Sequence, residues 1–107
     1  MASTTISTEN DVMTLVNVFT VTPEHQQELV DVLVEATAVM RQLPGFVSAN
    51  LHPSRDGTRV VNYAQWRTVE DFEAMLQDPR ALPHMQRAGE LGSYDPIVCD
   101  VIYVGHA

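Results

Sequence analysis

The sequence predicts an α+β domain with elements in the order β-α-β-β-α-β. Three observations support this. Four stretches read as strands, the first and third alternating between two faces with the period of a strand. Apolar residues recur at helical spacing between the first and second of these stretches, and again between the third and fourth. The middle two are joined by a short turn containing Asp56-Gly57, a strong hairpin signal. The order is that of the split-βαβ, ferredoxin-like pattern, a four-stranded antiparallel sheet with helices on one face.

Residues Met1 to Asn10 (MASTTISTEN) are rich in Ser and Thr and show no period. They are expected to form a disordered tail, leaving residues 11–107 as a single domain. Val12 to Val21 reads as the first strand. Met13, Leu15, Asn17, Phe19 and Val21 share one face, and Thr14, Val16, Val18 and Thr20 share the other. Thr22-Pro23-Glu24 announces a helix: Thr22 can cap, Pro23 suits the first position, and Glu24 faces the positive dipole end. Leu29, Leu33, Ala36, Met40 and Leu43 form its apolar stripe, and Pro44-Gly45 stops it.

Phe46 to His52 is the second strand, and Pro53 to Gly57 the turn. Thr58 to Trp66 is the third strand. Thr68, with Asp71 three residues on, can cap a second helix that runs to about Gln77. A further helical piece begins at Asp78-Pro79 and runs to about Leu91, perturbed by Pro83. Gly92 to Pro96 reads as a loop and Ile97 to Val104 as the last strand.

Length and composition narrow the function. At 107 residues the chain is the size of one domain, and 45% hydrophobic residues suffice for a core. Fourteen acidic residues face six basic ones, all Arg, for a net charge of −8. That charge repels polyphosphates and anionic membranes, so neither nucleic acid nor membrane is an expected partner. The lone Cys99 falls in a strand and reads as an inert core thiol. With no basic, apolar leader in view, a cytoplasmic location is expected. The sheet face away from the helices would expose Val16, Val18, Val61 and Tyr63, or Val98 and Ile102 of the last strand. That surface is too apolar to stay wet, so a homodimer joined through the sheets is expected.

No Cys/His metal spacing, phosphate-binding Gly-rich loop, GxSxG or HExxH occurs, so no metal or nucleotide cofactor is expected. What remains is polar groups on apolar faces. In the third strand Val60, Asn62, Ala64 and Trp66 point one way, about 13 Å from Asn62 to Trp66 at ~3.3 Å per residue. A buried carboxamide or indole N–H needs a partner. Taken singly, Asn17 and Asn62 are plain structural residues, Trp66 a core aromatic and His84 a surface histidine. Taken together, they suggest a pocket with two amides and an indole. Leu15, Phe19, Phe72, Met75 and Leu76 would wall it, with His84 near. Such a pocket suits a flat, phenolic, mostly apolar ligand.

Leu43-Pro44-Gly45-Phe46, Asp56-Gly57-Thr58 and Val61-Asn62-Tyr63-Ala64-Gln65-Trp66, followed by an acidic amphipathic helix, resemble the antibiotic biosynthesis monooxygenase family. The resemblance runs from about Met13 to Val104. It implies the dimeric α+β barrel. The Asn-Tyr-Ala-Gln-Trp run is similar to the quinone-forming members. These implied relatives are cofactor-independent monooxygenases that oxidise anthrone- or naphthacenone-type polyketide intermediates with O2, through a substrate carbanion and a peroxide. By that resemblance Asn62 and Trp66 match positions tied to oxygenation, and Asn17 matches a strand asparagine of some members. Other members place a Tyr on the second helix, where this chain has Phe72. The superfamily also holds haem-degrading monooxygenases with a strand Asn, a helix Trp and an iron-ligating helix His. Asn17 and His84 fit that set, but Met75 stands at the Trp position. A non-catalytic barrel that binds small molecules is the third alternative.

Overall fold

A computed structural model describes residues 2–107. Strand β1 spans Met13–Val21, and its helix-facing positions are buried as the alternation requires. A single 3-10 turn, Pro23–His25, leads into α1, Gln26–Met40. Thr22 does not cap this helix. Its hydroxyl instead lies 2.9 Å from Nδ1 of His25. The start of α1 is pinned by Gln26, whose Nε2 donates to the carbonyls of Ser54 and Arg59, each at 2.9 Å. Leu29, Val32, Leu33, Ala36 and Met40 are its buried stripe. The regular helix ends at Met40. Beyond it, Gln42 and Leu43 bond three residues back, to Val39 and Met40. This tightened turn delivers the chain to Gly45, whose φ of 82° suits glycine.

Strands β2 (Phe46–Pro53) and β3 (Arg59–Trp66) form the expected hairpin. Asp56 organises its turn. One carboxylate oxygen accepts from the Ser54 hydroxyl at 2.7 Å, the Thr58 hydroxyl at 2.7 Å and the Thr58 N–H at 3.0 Å. Bonds from Thr58 and then Ser54 hold the carboxyl down to about 2. Helix α2, Val69–Gln77, is capped by Thr68, whose Oγ1 accepts from the Asp71 N–H at 3.0 Å. After a break at Asp78-Pro79, α3 runs over Leu82–Leu91 with Pro83 in its first turn, where the missing N–H costs nothing.

The fourth strand corrects the sequence reading. Gly92–Pro96 is not a loop: β4 spans Gly92–Cys99 and leaves α3 without a connection. Residues 100–107 carry no strand. Gly92 makes the direct exit possible, because a Cβ there would collide with the Thr20 carbonyl. The shift also reverses the assignment of faces. Val98 pairs with Leu15 and lies on the helix side, whereas Ile97 pairs with Val16 on the open side, and Ile102 lies beyond the strand.

The strands form one antiparallel sheet in the order β2-β3-β1-β4, with the helices on one face. Two apolar clusters lie beneath them. One joins Met13, Leu15, Ala36, Met40, Leu43, Ala64, Trp66, Phe72, Met75 and Ala81. The other joins Phe19, Val21, Leu29, Val32, Leu33, Val60 and Ala88. Residues 2–10 form no helix or strand. Thr4 donates to Oδ1 of Asn50 at 2.6 Å, and the Gln65 amide donates to the Thr5 carbonyl at 3.0 Å. This segment therefore lies against the open sheet face. Among the described residues, no helix is long and apolar enough to cross a membrane.

Candidate active site

Asn17 and Asn62 stand directly opposite each other on β1 and β3. Their parity puts both side chains on the helix face, in the gap between the two apolar clusters. The backbone of Val21 donates to Thr58 at 2.9 Å, so odd positions of β1 bond toward β3. Asn17 therefore turns its backbone toward Asn62 and away from Pro96, its β4 neighbour. Pro96 aims its missing N–H at the free sheet edge, where a ladder loses nothing.

The two carboxamides differ in environment. Asn62 is half-buried, and its Oδ1 accepts from the Asn50 N–H at 3.3 Å. Asn17 is 6% exposed, and its Oδ1 has no hydrogen-bond partner. A buried acceptor left unpaired costs about 1–3 kcal/mol. Asn17 lines a cavity of about 470 Å³ between the sheet's β1–β4 side and helices α2 and α3, with the Oδ1 atom itself buried. Phe72, Met75 and Leu76 of α2 form one wall. Leu82, Met85, Gln86 and Gly89 of α3 form the next, with Tyr94 and Pro96 of β4 beneath. The volume fits a drug-sized polycyclic ligand. Its lining is apolar apart from Asn17, Gln86 and Tyr94, and contains no carboxylate, histidine or cysteine.

The structure thus brings together Asn17, Phe72, Met75 and Leu76 of the residues expected from the sequence. Leu15 and Phe19 flank Asn17 but lie in the core, 4% and 1% exposed, and do not reach the cavity. Asn62 is adjacent to Asn17 without lining the cavity. Trp66 is 1% exposed. It packs edge-on against Phe46 at 5.3 Å and tilted against Phe72 at 6.2 Å between ring centroids. The indole therefore backs the Phe72 wall. His84 is half-buried and lies outside the lining of this cavity. Among the described residues, no three His, Cys, Asp or Glu side chains gather into a metal-binding group.

Sequence reasoning missed the α3 wall and β4 floor. Leu82, Met85, Gln86 and Gly89 follow the i, i+3, i+4, i+7 spacing of one helix face, and that signal could have found them. Tyr94 and Pro96 were hidden by the loop assignment of Gly92–Pro96.

The family model for antibiotic biosynthesis monooxygenases matches residues 12–90. The chain is 53% identical over 100 residues to the tetracenomycin-F1 monooxygenase of Streptomyces glaucescens, covering 92% of this chain and 89% of that protein. The fold superposes on SnoaB, a cofactor-independent oxygenase from Streptomyces nogalater, with a TM-score of 0.79 at 28% identity, covering 89% of this chain and 97% of that one. It also superposes on the ActVA-Orf6 monooxygenase of Streptomyces coelicolor in complex with nanaomycin D, with a TM-score of 0.77 at 27% identity, covering 91% and 92% of the two chains.

Proposed function

The chain belongs to the antibiotic biosynthesis monooxygenase family, and on that premise we propose that it converts an anthrone- or naphthacenone-type polyketide intermediate to a quinone with O2 and no cofactor. The observation that supports this best is Asn17, whose buried Oδ1 is unpaired, in the lining of a largely apolar cavity. A phenolic or enolic O–H on the substrate would satisfy it. The other end of a carboxamide is a donor, so Asn17 can also serve a neighbouring oxyanion. Asn62 stands beside Asn17, outside the lining, with its oxygen engaged by the Asn50 N–H, which leaves its own N–H groups as donors toward a substrate that reaches past Asn17.

The chemistry follows from the substrate. The methylene of an anthrone is acidic because its carbanion is a phenoxide-like enolate. The amide donors lower the energy of that oxyanion, as an oxyanion hole does. One electron passes from the carbanion to O2, giving a substrate radical and superoxide. These combine to form a C–O bond, and a proton completes the hydroperoxide. Loss of the second methylene proton with cleavage of the O–O bond expels water and leaves the carbonyl. One O2 is consumed, one oxygen atom enters the quinone and the other leaves in water. Phe72 and Met75 hold the ring system, and Trp66 fixes the position of Phe72 from behind. The protein acts as a homodimer joined through the open sheet face.

Oxygen uptake by chelator-treated protein with 1,8-dihydroxyanthrone, followed with quinone absorbance, tests this. One O2 per quinone is expected, unaffected by chelator and reduced at least about 100-fold in Asn62→Ala, the scale of a lost oxyanion donor. Full turnover in Asn62→Ala would falsify its assignment. Protein-dependent uptake abolished by chelator would overturn the cofactor-free chemistry.

A further inference from the structure

Helix α3 carries a glycine that its own backbone does not require. Gly89 lies inside Leu82–Leu91, where glycine weakens a helix relative to alanine. Its φ is not positive; only Gly45 and Gly57 have that conformation among the described residues. A Cβ at position 89 would meet one described atom outside its own helix, Cε1 of Tyr94 at 3.8 Å, which is ordinary van der Waals contact. Gly92 is the contrast, since a Cβ there would strike the Thr20 carbonyl. Alanine would fit at position 89 without a clash. What the glycine supplies there is open space.

That space belongs to the cavity beside Asn17, which Gly89 and Tyr94 both line. Pro96 pairs with Asn17, and Tyr94 pairs with Phe19. Tyr94 therefore stands one side-chain repeat along the sheet from Asn17, about 7 Å at ~3.3 Å per residue. On the helix, Leu82 and Gly89 are separated by two turns, about 10 Å at ~1.5 Å per residue. The cavity thus extends along α3, and its Gly89–Tyr94 end lies away from the Asn17 amide. Leu76, Leu82 and Tyr94 in its lining stay 37%, 39% and 49% exposed, apolar surface that a ring system would cover.

We propose that Gly89 sets the length of the ring system this site takes, by leaving room beside Tyr94 for a fourth fused ring. This rests on the oxygenase reading above and narrows its substrate to four-ring naphthacenones in preference to three-ring anthrones. Asn17 holds the oxygen nearest the reacting ring, and the terminal ring lies over Gly89. A side chain at that position would occupy the terminal ring's place, whereas a three-ring substrate ends short of it. Gly89 touches no reacting atom, so it determines specificity and takes no part in the chemistry.

Turnover of anthrone and of its four-ring homologue naphthacenone, each with one activated methylene, tests this as a ratio of kcat/KM values. Wild type is expected to favour naphthacenone about tenfold or more. Gly89→Ala is expected to lower that preference about tenfold and Gly89→Leu about 100-fold, the scale of one and of several carbons added to an apolar pocket. Gly89→Ala should melt no lower than wild type, because alanine suits a helix better. A preference unchanged in Gly89→Leu, or a wild type that favours anthrone, overturns the assignment. So does a Gly89→Ala protein that melts several degrees lower, since the glycine would then serve the fold. Binding of the two product quinones, anthraquinone and naphthacenequinone, is read by calorimetry without turnover. Wild-type protein that consumes no O2 with either ring system, yet binds naphthacenequinone and loses it in Gly89→Leu, overturns the oxygenase reading and leaves the size assignment standing.

Discussion

Replacing Asn17 by leucine should make the protein more stable and less active. The side chain sits between buried Leu15 and Phe19 and is itself 6% exposed, with its Oδ1 unpaired. An unsatisfied buried acceptor costs about 1–3 kcal/mol. Leucine branches at the same carbon, so its methyl groups occupy the space of the amide atoms, and each buried methyl adds about 0.8 kcal/mol. The adjoining cavity gives the slightly larger side chain room. A net gain of about 2 kcal/mol is expected after some repacking, or about 8 °C in Tm at ~4 °C per kcal/mol for a domain near 100 residues. Turnover should fall about 100-fold with the amide donor gone. Differential scanning calorimetry and the oxygen-uptake assay on one preparation read both effects. An Asn17→Leu protein that melts lower than wild type would show that the carboxamide serves the fold. A variant with full turnover would remove Asn17 from the site.

The Asp56 turn predicts a pH effect. Its folded carboxyl titrates at about 2, below its unfolded value, so its contribution is complete above about pH 4 and disappears as pH falls through 2. Asp56→Asn should therefore melt below wild type at pH 6, with the gap closing between pH 4 and pH 2; a gap of constant size contradicts the assignment. Gly45→Ala should lower stability by at least about 1 kcal/mol, read as a lower urea midpoint with the slope unchanged. The φ of 82° disfavours any side chain, and the new Cβ would meet the Asp71 carboxylate. A neutral result would mean that the Pro44-Gly45 turn relaxes freely.

What could be read from the sequence follows its periodicities. The alternation of β1 and β3 was strong enough to put Asn17 and Asn62 on one face, and they proved to be opposite neighbours. Asp56-Gly57 and Thr68 identified a turn and a cap through local hydrogen bonds, which need no tertiary information. The end of the chain was harder. Gly92, Ser93 and Pro96 are residues of loops, and only their pairing with β1 turns them into an edge strand. Missing that strand by five residues reversed which of Ile97 and Val98 faces the helices. The buried position of Trp66 was legible, but its place behind Phe72 depends on how α2 crosses the sheet. Local pattern does not encode that crossing.

The cavity itself comes from a discontinuity. Helix α1 covers one part of the sheet without a break, whereas the second covering layer is divided at Asp78-Pro79 into α2 and α3. Gly89 contributes no side chain to the space between α3 and β4. Nothing in the lining can serve as a carboxylate or imidazole base. Under the proposed function, catalysis comes from making the substrate's own acid stronger and from holding its carbanion near O2. Two amide donors at about 10²–10³ each amount to about 10⁴–10⁶ in rate. That suffices only for a substrate already close to ionising. The apolar lining and the placement of the two asparagines fit the proposed substrate class, a flat phenolic ring system with one activated methylene.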